Sequence, residues 1–290
     1  MREAVKKIYD HIPFKQKAFE LARFIGPPES LYKHLHFHGD FTVDVDDRSF
    51  VIRHYGFQIE NELFWAGLRG WEKTSLGLWR KLVENSDVIL DIGANTGVYS
   101  LIAKALNSAA KVYAFEPVER VFEKLQTNVA LNDFDIVCDS RALSDANGTA
   151  VIFDTPTAHQ TSVTVNKNLQ APETEVIPTE IETVRLDTII ENHGLKKIDL
   201  IKIDVETHEP EVLSGFGKYL DAFRPTMLIE VLDDEIGERI QTQLEGMEYL
   251  YFNIDEDRDS VRLVDRIGKS DYYNFLVCNR KIANELGLLK

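Results

Sequence analysis

The segment from Asp87 to Gly97 constrains the fold more than any other part of this 290-residue chain. An apolar run, Asp87-Val88-Ile89-Leu90, leads into the turn Asp91-Ile92-Gly93-Ala94-Asn95-Thr96-Gly97. A short apolar run that ends at a glycine-rich turn is typical of a buried parallel strand. Residues 98–106 then show the apolar spacing of a helix. We therefore expect a strand, a tight turn and a helix in direct succession.

The same order of elements recurs immediately downstream. Residues 111–115 predict a second strand, residues 121–131 a second helix and residues 136–138 a third strand. Strands and helices that alternate at this spacing indicate βαβ units and a doubly wound parallel sheet, so the fold class is α/β. Further strands are predicted at residues 198–204, 226–230, 249–252 and 274–278, with helices near 210–220 and 234–244.

The remaining segments suggest a division into two parts. Residues 1–62 are expected to form accessory helices and a hairpin, and residues 63–290 the main domain. Within the main domain, an extended β excursion is expected near residues 148–180, which are rich in Thr and Val and lack a helical period. The length and the 44% hydrophobic content are sufficient for one large core with a small appended piece.

Charge and composition exclude several classes of protein. A formal net charge of −15 repels phosphate backbones, so we expect no nucleic-acid partner. No run of about 18 apolar residues is present, so no membrane span is expected. The N-terminus lacks the apolar core of a signal peptide, which predicts a cytoplasmic location. The two cysteines, Cys138 and Cys278, are interpreted as buried free thiols.

The N-terminal segment carries one amphipathic stretch. Residues 18–25 have helical apolar spacing, and Lys15, Lys17 and Arg23 lie among them. Such a helix could make peripheral contact with a membrane surface. Packing against the core or a second subunit is the favoured interpretation, and self-association into a homo-oligomer stays open.

The turn after the first predicted strand has the features of a nucleoside site. Gly93 permits backbone conformations denied to other residues and lets a ligand approach, while Gly97 permits tight contact between helix and strand. Glu116 follows the next strand, about twenty residues on, where a carboxylate can accept hydrogen bonds from both ribose hydroxyls. A purely structural turn is the alternative, and it explains the coincidence of these residues less well.

Asn95 distinguishes between two nucleoside ligands. The dinucleotide fingerprint is Gly-x-Gly-x-x-Gly, and Asn95 occupies the position of its middle glycine. S-adenosylmethionine has no phosphate, so the substitution favours S-adenosylmethionine over a nicotinamide cofactor. Asp91 is then expected to meet the amino group of the methionine part, or to orient water near it. Ser140, Arg141 and Ala142 follow the third strand, where adenine contacts are expected, with a cap or turn as the competing interpretation.

Several motifs in order resemble the FkbM-type S-adenosylmethionine-dependent methyltransferase family. The resembling segments are residues 91–100, 115–117, 142–145, 185–187 and 202–206, together with Arg224-Pro225 before the strand that ends at Glu230. The resemblance implies a seven-stranded Rossmann-like sheet whose last strand is antiparallel. It also implies S-adenosylmethionine as methyl donor and a hydroxyl acceptor on a sugar, glycolipid or polyketide. One position departs from the family, because Thr207 stands where a glycine is common.

The candidate catalytic residues follow the fourth predicted strand. Asp204, Glu206 and His208 are close together there, and Asp204 or His208 could act as general base toward an acceptor hydroxyl. Alternatively, Asp204 and Glu206 cap the helix that begins near Pro210, and His208 is a surface residue. These side chains could also bind a divalent cation, but no spaced metal motif is present, so no metal is expected.

The leading functional hypothesis is an S-adenosylmethionine-dependent O-methyltransferase. Its acceptor is expected to be a small molecule or a sugar or glycan-linked hydroxyl, a class that rests on the family resemblance. A nicotinamide-dependent oxidoreductase and a non-catalytic S-adenosylmethionine-binding protein are the alternatives.

Overall fold

The computed structural model describes residues 14–154 and 176–289 of the chain. They form two compact units, one ending at Glu72 and the other starting at Lys73. A division between residues 62 and 63 into an accessory and a methyltransferase domain stays a prediction. In the described part of the chain, no helix is both long enough and apolar enough to span a bilayer.

The first unit combines short helices with a hairpin. Its elements are α1 (Lys15–Arg23), α2 (Glu29–Tyr32), β1 (Gly39–Val45), β2 (Arg48–His54) and α3 (Gln58–Ala66). Burial alternates along β1, where Phe41, Val43 and Val45 face the interior. β1 and β2 are antiparallel, and Asp46 turns between them with a φ of 53° that an aspartate tolerates. The predicted helix and hairpin are confirmed.

The second unit alternates helices and strands. It begins with α4 (Lys73–Val83), β3 (Val88–Ile92), α5 (Val98–Leu106), β4 (Lys111–Phe115), α6 (Glu119–Ala130) and β5 (Ile136–Asp139). The middle contains β6 (Ala142–Ser144), β7 (Gly148–Asp154), β8 (Ile177–Arg185) and α7 (Leu186–His193). The final part contains β9 (Leu200–Ile203), α8 (Glu209–Gly215), α9 (Tyr219–Phe223), β10 (Thr226–Glu230), α10 (Asp234–Gln243), β11 (Leu250–Asp255), β12 (Ser260–Val264), β13 (Asn274–Cys278) and α11 (Arg280–Glu285).

The main sheet has the strand order β12-β11-β13-β10-β9-β3-β4-β5. Strands β5, β4, β3, β9 and β10 are parallel, and β13, the last strand in the chain, is antiparallel to β10. The expected α/β fold with an antiparallel last strand is therefore confirmed. An additional strand, β12, extends the seven-stranded order at the β11 edge. Leu263 of β12 is exposed, which is why its sequence has no buried-strand pattern.

The topology of this sheet places one crevice at its centre. The chain proceeds from β3 to β4 and β5 on one side, then returns to β9 and β10 on the other. Ligands of open α/β sheets bind beyond the carboxyl ends of the strands where the order reverses, here between β3 and β9. Every residue of β3 and β9 is buried, yet a charged pair, Asp91 and Lys202, is aligned within their register.

A smaller sheet lies in the region of the predicted excursion. Its order is β6-β8-β7, with β6 parallel and β7 antiparallel to β8. Residues 155–175 of the excursion lie outside the described residues. The helix predicted over residues 210–220 is wrong in one respect, because α8 and α9 are separate helices. Gly217, with a φ of 56°, interrupts the helical conformation between them.

Candidate functional site

Gly93 joins the carboxyl ends of β3 and β9. It has a φ of 79°, and a Cβ added there would lie 1.8 Å from the Asp204 carbonyl oxygen. The Asp204 amide donates a hydrogen bond of 3.0 Å to the Ile92 carbonyl oxygen, which closes the contact. The space beside Gly93 is thus filled by the Asp204 backbone, and a role for this glycine in admitting a ligand stays a prediction.

Gly97 makes a close contact of a different kind. It has a φ of 95°, and a Cβ there would lie 2.7 Å from Leu125 Cδ1. Because Leu125 belongs to α6, the tight contact is between two helices, α5 and α6. The prediction of a contact between helix and strand is therefore wrong, although the requirement for glycine is confirmed.

The Asp91 carboxylate caps the first turn of α5. Its Oδ2 accepts hydrogen bonds from the Ser100 amide at 2.9 Å and the Ser100 hydroxyl at 2.6 Å. The side chain is 1% exposed, and burial raises the pKa of Asp91 to about 6. Asp91 thus fastens β3 to the helix after the turn, and its contact with a ligand amino group stays a prediction.

Glu116 bridges the turn after β3 and the segment after β4. Its Oε2 accepts from the Asn95 amide at 3.0 Å, and its Oε1 accepts from the Val118 amide at 2.9 Å. Burial raises the pKa of Glu116 to about 7. Each carboxylate oxygen can accept about two hydrogen bonds, so both oxygens retain capacity for ribose hydroxyls.

Asn95 occupies a left-handed conformation with a φ of 52°. Asparagine is among the few residues that tolerate this region, which explains how it replaces a glycine in the turn. Its Oδ1 is buried and accepts no hydrogen bond from the described part of the protein. The turn therefore presents an acceptor oxygen beside Glu116.

The residues after β5 form a compact ion pair. Arg141 donates from Nε to Asp139 Oδ1 at 2.9 Å and from Nη2 to Oδ2 at 2.5 Å. The Glu116 amide donates to the Asp139 carbonyl oxygen at 3.1 Å, so the ends of β4 and β5 are adjacent. Ser140 is exposed and Ala142 is buried in β6. Adenine contacts by Ser140, Arg141 and Ala142 stay a prediction at this edge.

Asp204 lies at the end of β9 within a charged cluster. Carboxylate oxygens of Asp204, Glu206 and Glu230 lie within 4.8 Å of one another. The Lys202 ammonium is 3.1 Å from Asp204 Oδ2, and the Lys202 side chain is 1% exposed. We refer to these four residues as the carboxylate cluster. Oxygens at this spacing are suitable ligands for a divalent cation, and the absence of a catalytic metal stays a prediction.

Glu230 is the one carboxylate of the cluster that was not predicted from the sequence to be catalytic. It ends β10, directly beside β9 in the sheet. Burial raises the pKa of Glu230, and the adjacent Asp204 carboxylate, which shares a hydrogen bond with it, raises it further. The raised pKa favours the protonated form of Glu230, which can donate a hydrogen bond to Asp204. An acidic residue at the end of the strand beside β9 was the available signal.

The loop between β9 and α8 is strained and fastened by Glu209. Glu206 and Thr207 have φ values of 53° and 77°. Glu209 Oε1 accepts from the amides of Val205 and Thr207, each at 3.2 Å. The loop amides are thus held by Glu209, whereas the Asp204 carboxylate contacts Lys202, so the alternative in which Asp204 caps the helix is wrong.

Replacing Thr207 with glycine is expected to raise the free energy of unfolding by about 1 kcal/mol. A left-handed conformation costs about 1–2 kcal/mol in a residue with a Cβ, and glycine avoids this cost. Glycine also gives the unfolded chain more conformational freedom, which offsets part of the stabilisation. The Thr207 hydroxyl is buried and has no hydrogen-bond partner among residues 14–154 and 176–289. Urea denaturation measures the change. Thr207→Ala separates backbone strain from the hydroxyl, and a glycine variant less stable than the alanine variant would contradict the explanation.

Stability is expected to decrease with rising pH, with Glu209 as one cause. Burial raises the pKa of Glu209 from 4.5 to about 8. A carboxyl with a raised folded-state pKa contributes stability below 4.5 that is lost as the pH rises through about 8. Each pKa unit corresponds to about 1.4 kcal/mol. In denaturation series from pH 5 to pH 8.5, Glu209→Gln should show a shallower decline than wild type, and an identical slope would refute this role.

His208 is buried between β6 and α8. Its Nε2 lies 3.0 Å from the Ser144 hydroxyl, and its Nδ1 lies 3.7 Å from Glu211 Oε2. The side chain is 10% exposed, so the interpretation of His208 as a surface residue is wrong. Neither Ser144 nor Glu211 belongs to the carboxylate cluster, and a catalytic role for His208 stays a prediction.

Comparison with known proteins identifies the family. Residues 91–256 match the model of the methyltransferase FkbM domain, which is more than half of the chain. Hexuronic acid methyltransferase AglP of Haloferax volcanii is 30% identical over 159 residues, covering 53% of this chain and 60% of the relative. The 31-O-demethyl-FK506 methyltransferase FkbM of Streptomyces tacrolimicus is 31% identical over 153 residues, covering 44% and 59%. The 2-O-methyltransferase NoeI of Sinorhizobium fredii is 29% identical over 173 residues, covering 54% and 68%.

These matches imply S-adenosylmethionine as the cofactor, and the turn fits it. Glu116 offers two acceptor oxygens, Asn95 Oδ1 is a buried acceptor, and no middle glycine is present for a pyrophosphate. The nicotinamide-dependent oxidoreductase and the non-catalytic binding protein receive no support from the relatives. The chain spans about 60% of the first two relatives. This chain belongs to the FkbM methyltransferase family.

Proposed function

We propose that the protein is an S-adenosylmethionine-dependent O-methyltransferase that acts on a hydroxyl of a sugar or glycan-linked acceptor. The observation that carries the proposal is the position of Asp204. Its backbone contacts Gly93 and Ile92 of the cofactor turn, while its carboxylate belongs to the carboxylate cluster. This position supports Asp204 as a proton acceptor next to the turn that we assign to the cofactor.

The cofactor half of the site supplies binding and orientation. When bound, S-adenosylmethionine supplies an electrophilic methyl group on a sulfonium leaving group. Glu116 accepts hydrogen bonds from the ribose hydroxyls, and the Asn95 side chain provides a further acceptor. The segment from Ser140 to Ala142 borders the adenine side. Alignment of the reacting groups is a large part of catalysis in such a displacement.

The acceptor half of the site removes the proton of the acceptor hydroxyl. The Lys202 ammonium lies 3.1 Å from Asp204 Oδ2, and Glu230 in its protonated form donates a hydrogen bond to Asp204. Asp204 would then accept the proton that the acceptor hydroxyl loses on methylation. Glu206 supplies additional acceptor oxygens, which suit a substrate with several hydroxyl groups.

The sugar class is supported by the relatives and by the chemistry of the cluster. One relative is named for a hexuronic acid and another for 2-O-methylation. Three carboxyl groups beside one ammonium favour neutral hydroxyls as the groups that face Asp204. An acidic substituent on the sugar would then face away from the cluster. A cytoplasmic location, self-association into a homo-oligomer and the accessory role of residues 1–62 are further parts of this proposal.

The test uses S-adenosylmethionine that carries a labelled methyl group. The full chain is incubated with neutral hexose glycosides, hexuronic acid glycosides and cell-envelope glycans, and mass spectrometry locates the label. We expect label on a sugar oxygen with wild type and at least about 100-fold slower labelling with Asp204→Asn. Label on nitrogen or carbon of an acceptor, or equal transfer by Asp204→Asn, would contradict the proposal.

A further inference from the structure

Four large apolar side chains near the start of the described chain face solvent. Phe14, Leu21, Phe24 and Ile25 are 76%, 69%, 89% and 86% exposed. Leu21 lies on α1, Phe14 directly precedes this helix, and Phe24 and Ile25 directly follow it. Together with the exposed Lys17, we call these residues the α1 outer face.

The opposite side of α1 is anchored within the first unit. The Phe19 ring lies 5.5 Å from the Trp65 ring and 6.4 Å from the Phe37 ring. Gln16 donates from Nε2 to the Asp40 carbonyl oxygen at 2.8 Å, which joins α1 to β1. These contacts of Phe19 and Gln16 hold α1 in place within the first unit. Neither contact involves the apolar residues of the outer face, which stay exposed to solvent.

The outer face combines apolar and cationic groups. It borders a cleft of 940 Å³ within the first unit, whose lining includes Lys17, Arg23 and Arg69 with Glu20 as the acidic member. Lys17 and Arg23 also contact aromatic rings, at 5.9 Å from the Phe14 centroid and 4.7 Å from the Phe64 centroid. A locally cationic surface is notable in a chain whose net charge is −15.

Apolar side chains next to cationic ones fit an anionic bilayer surface better than a second copy of the chain. Anionic lipid headgroups attract Lys and Arg, while the boundary region of a bilayer takes up Phe, Leu and Ile side chains. A second copy of the same face would bring Lys17, Arg23 and Arg69 toward like charges. We propose that the α1 outer face docks on the surface of an anionic phospholipid bilayer. This inference does not depend on the proposed methyl transfer.

Vesicle sedimentation of the full chain tests the proposal. Vesicles of phosphatidylcholine alone are compared with vesicles that also contain phosphatidylglycerol. We expect binding to the anionic vesicles, weakened by added salt, and at least tenfold weaker with Phe24→Ser/Ile25→Ser. The charge variant Lys17→Gln/Arg23→Gln should also weaken binding. The matched control Leu263→Ser, which changes an apolar residue that is 54% exposed on β12, should bind like wild type.

Three results would overturn the proposal. They are the absence of sedimentation with anionic vesicles, equal sedimentation with both vesicle types, and loss of binding in the Leu263 control. Sedimentation velocity tests the competing explanation, in which a second copy of the chain covers this face. A wild-type dimer that Phe24→Ser/Ile25→Ser converts to monomer would assign the face to self-association. Circular dichroism verifies that each variant is folded. If Phe24→Ser/Ile25→Ser does not fold, the binding of Lys17→Gln/Arg23→Gln decides the test.

Discussion

Replacing Glu116 with alanine is expected to weaken S-adenosylmethionine binding at least 100-fold. The variant removes the two carboxylate oxygens that the proposal assigns to the ribose hydroxyls. Hydrogen bonds to a charged group contribute about 1.5–3 kcal/mol each, and about 1.4 kcal/mol corresponds to a tenfold change in affinity. The loss of both bonds therefore exceeds two orders of magnitude. Equilibrium dialysis with labelled S-adenosylmethionine measures the dissociation constant.

Two further variants make the Glu116 result specific. Glu123→Ala removes an exposed carboxylate from α6, and it should leave affinity unchanged. Glu116→Gln retains one acceptor oxygen and should give an intermediate affinity. Because Glu116 also binds the amides of Asn95 and Val118, thermal unfolding verifies that each variant is folded. Binding by folded Glu116→Ala within about threefold of wild type would be inconsistent with the ribose assignment, since that is under 1 kcal/mol.

Replacing Asp204 with asparagine is expected to lower kcat by about 10²–10⁴ while leaving the dissociation constant of S-adenosylmethionine unchanged. Loss of a positioned general base typically costs this much. Asparagine keeps the size of the side chain and its hydrogen bond with Lys202 but cannot accept the proton. Single-turnover kinetics with labelled cofactor separate the chemical step from binding.

Glu230 provides the matched comparison for Asp204. Because the raised pKa of Glu230 favours its protonated form, Glu230→Gln imitates that form and should retain most of the activity, whereas Glu230→Ala should lose much of it. Asp271→Asn, an exposed aspartate after β12, should have no effect. The mechanism fails if Asp204→Asn stays as active as wild type, or if Glu230→Gln is as inactive as Asp204→Asn.

The cofactor half of the site was predictable because its determinants are local. Asp91, Gly93, Asn95 and Gly97 belong to one strand, turn and helix, so their order in the sequence is nearly their order in space. Glu116 follows the adjacent parallel strand, whose carboxyl end meets the same edge. Parallel pairing of neighbouring βαβ units is a strong regularity, and it brings Glu116 to the turn.

The acceptor half of the site depends on the order in which strands pair, and the sequence does not show that order. Glu230 reaches Asp204 because β10 lies beside β9, and Lys202 is a charged residue in a run that otherwise reads as buried strand. His208 is adjacent to this half in sequence, but its ring turns toward Ser144 of the smaller sheet. Such contacts follow from tertiary packing rather than from local periodicity.

Two predictions that involved glycines were wrong for the same reason, because the feature that decides each one is not visible in the local sequence pattern. The glycine requirement at position 97 was clear, but the partner that demands it, Leu125, lies on another helix. Gly217 ends a helix through a positive φ that apolar periodicity does not reveal. Thr207 is the reverse case, since its φ of 77° is one that glycine adopts without the strain imposed by a Cβ.

Calorimetric titration of the wild-type chain with S-adenosylmethionine, and separately with NAD⁺, tests the central claim most directly. The structure predicts saturable binding of S-adenosylmethionine at one site per chain and no binding of NAD⁺, because Asn95 replaces the glycine that a pyrophosphate requires. Folded protein that binds NAD⁺, or that shows no heat and no competition with labelled S-adenosylmethionine, would contradict the account.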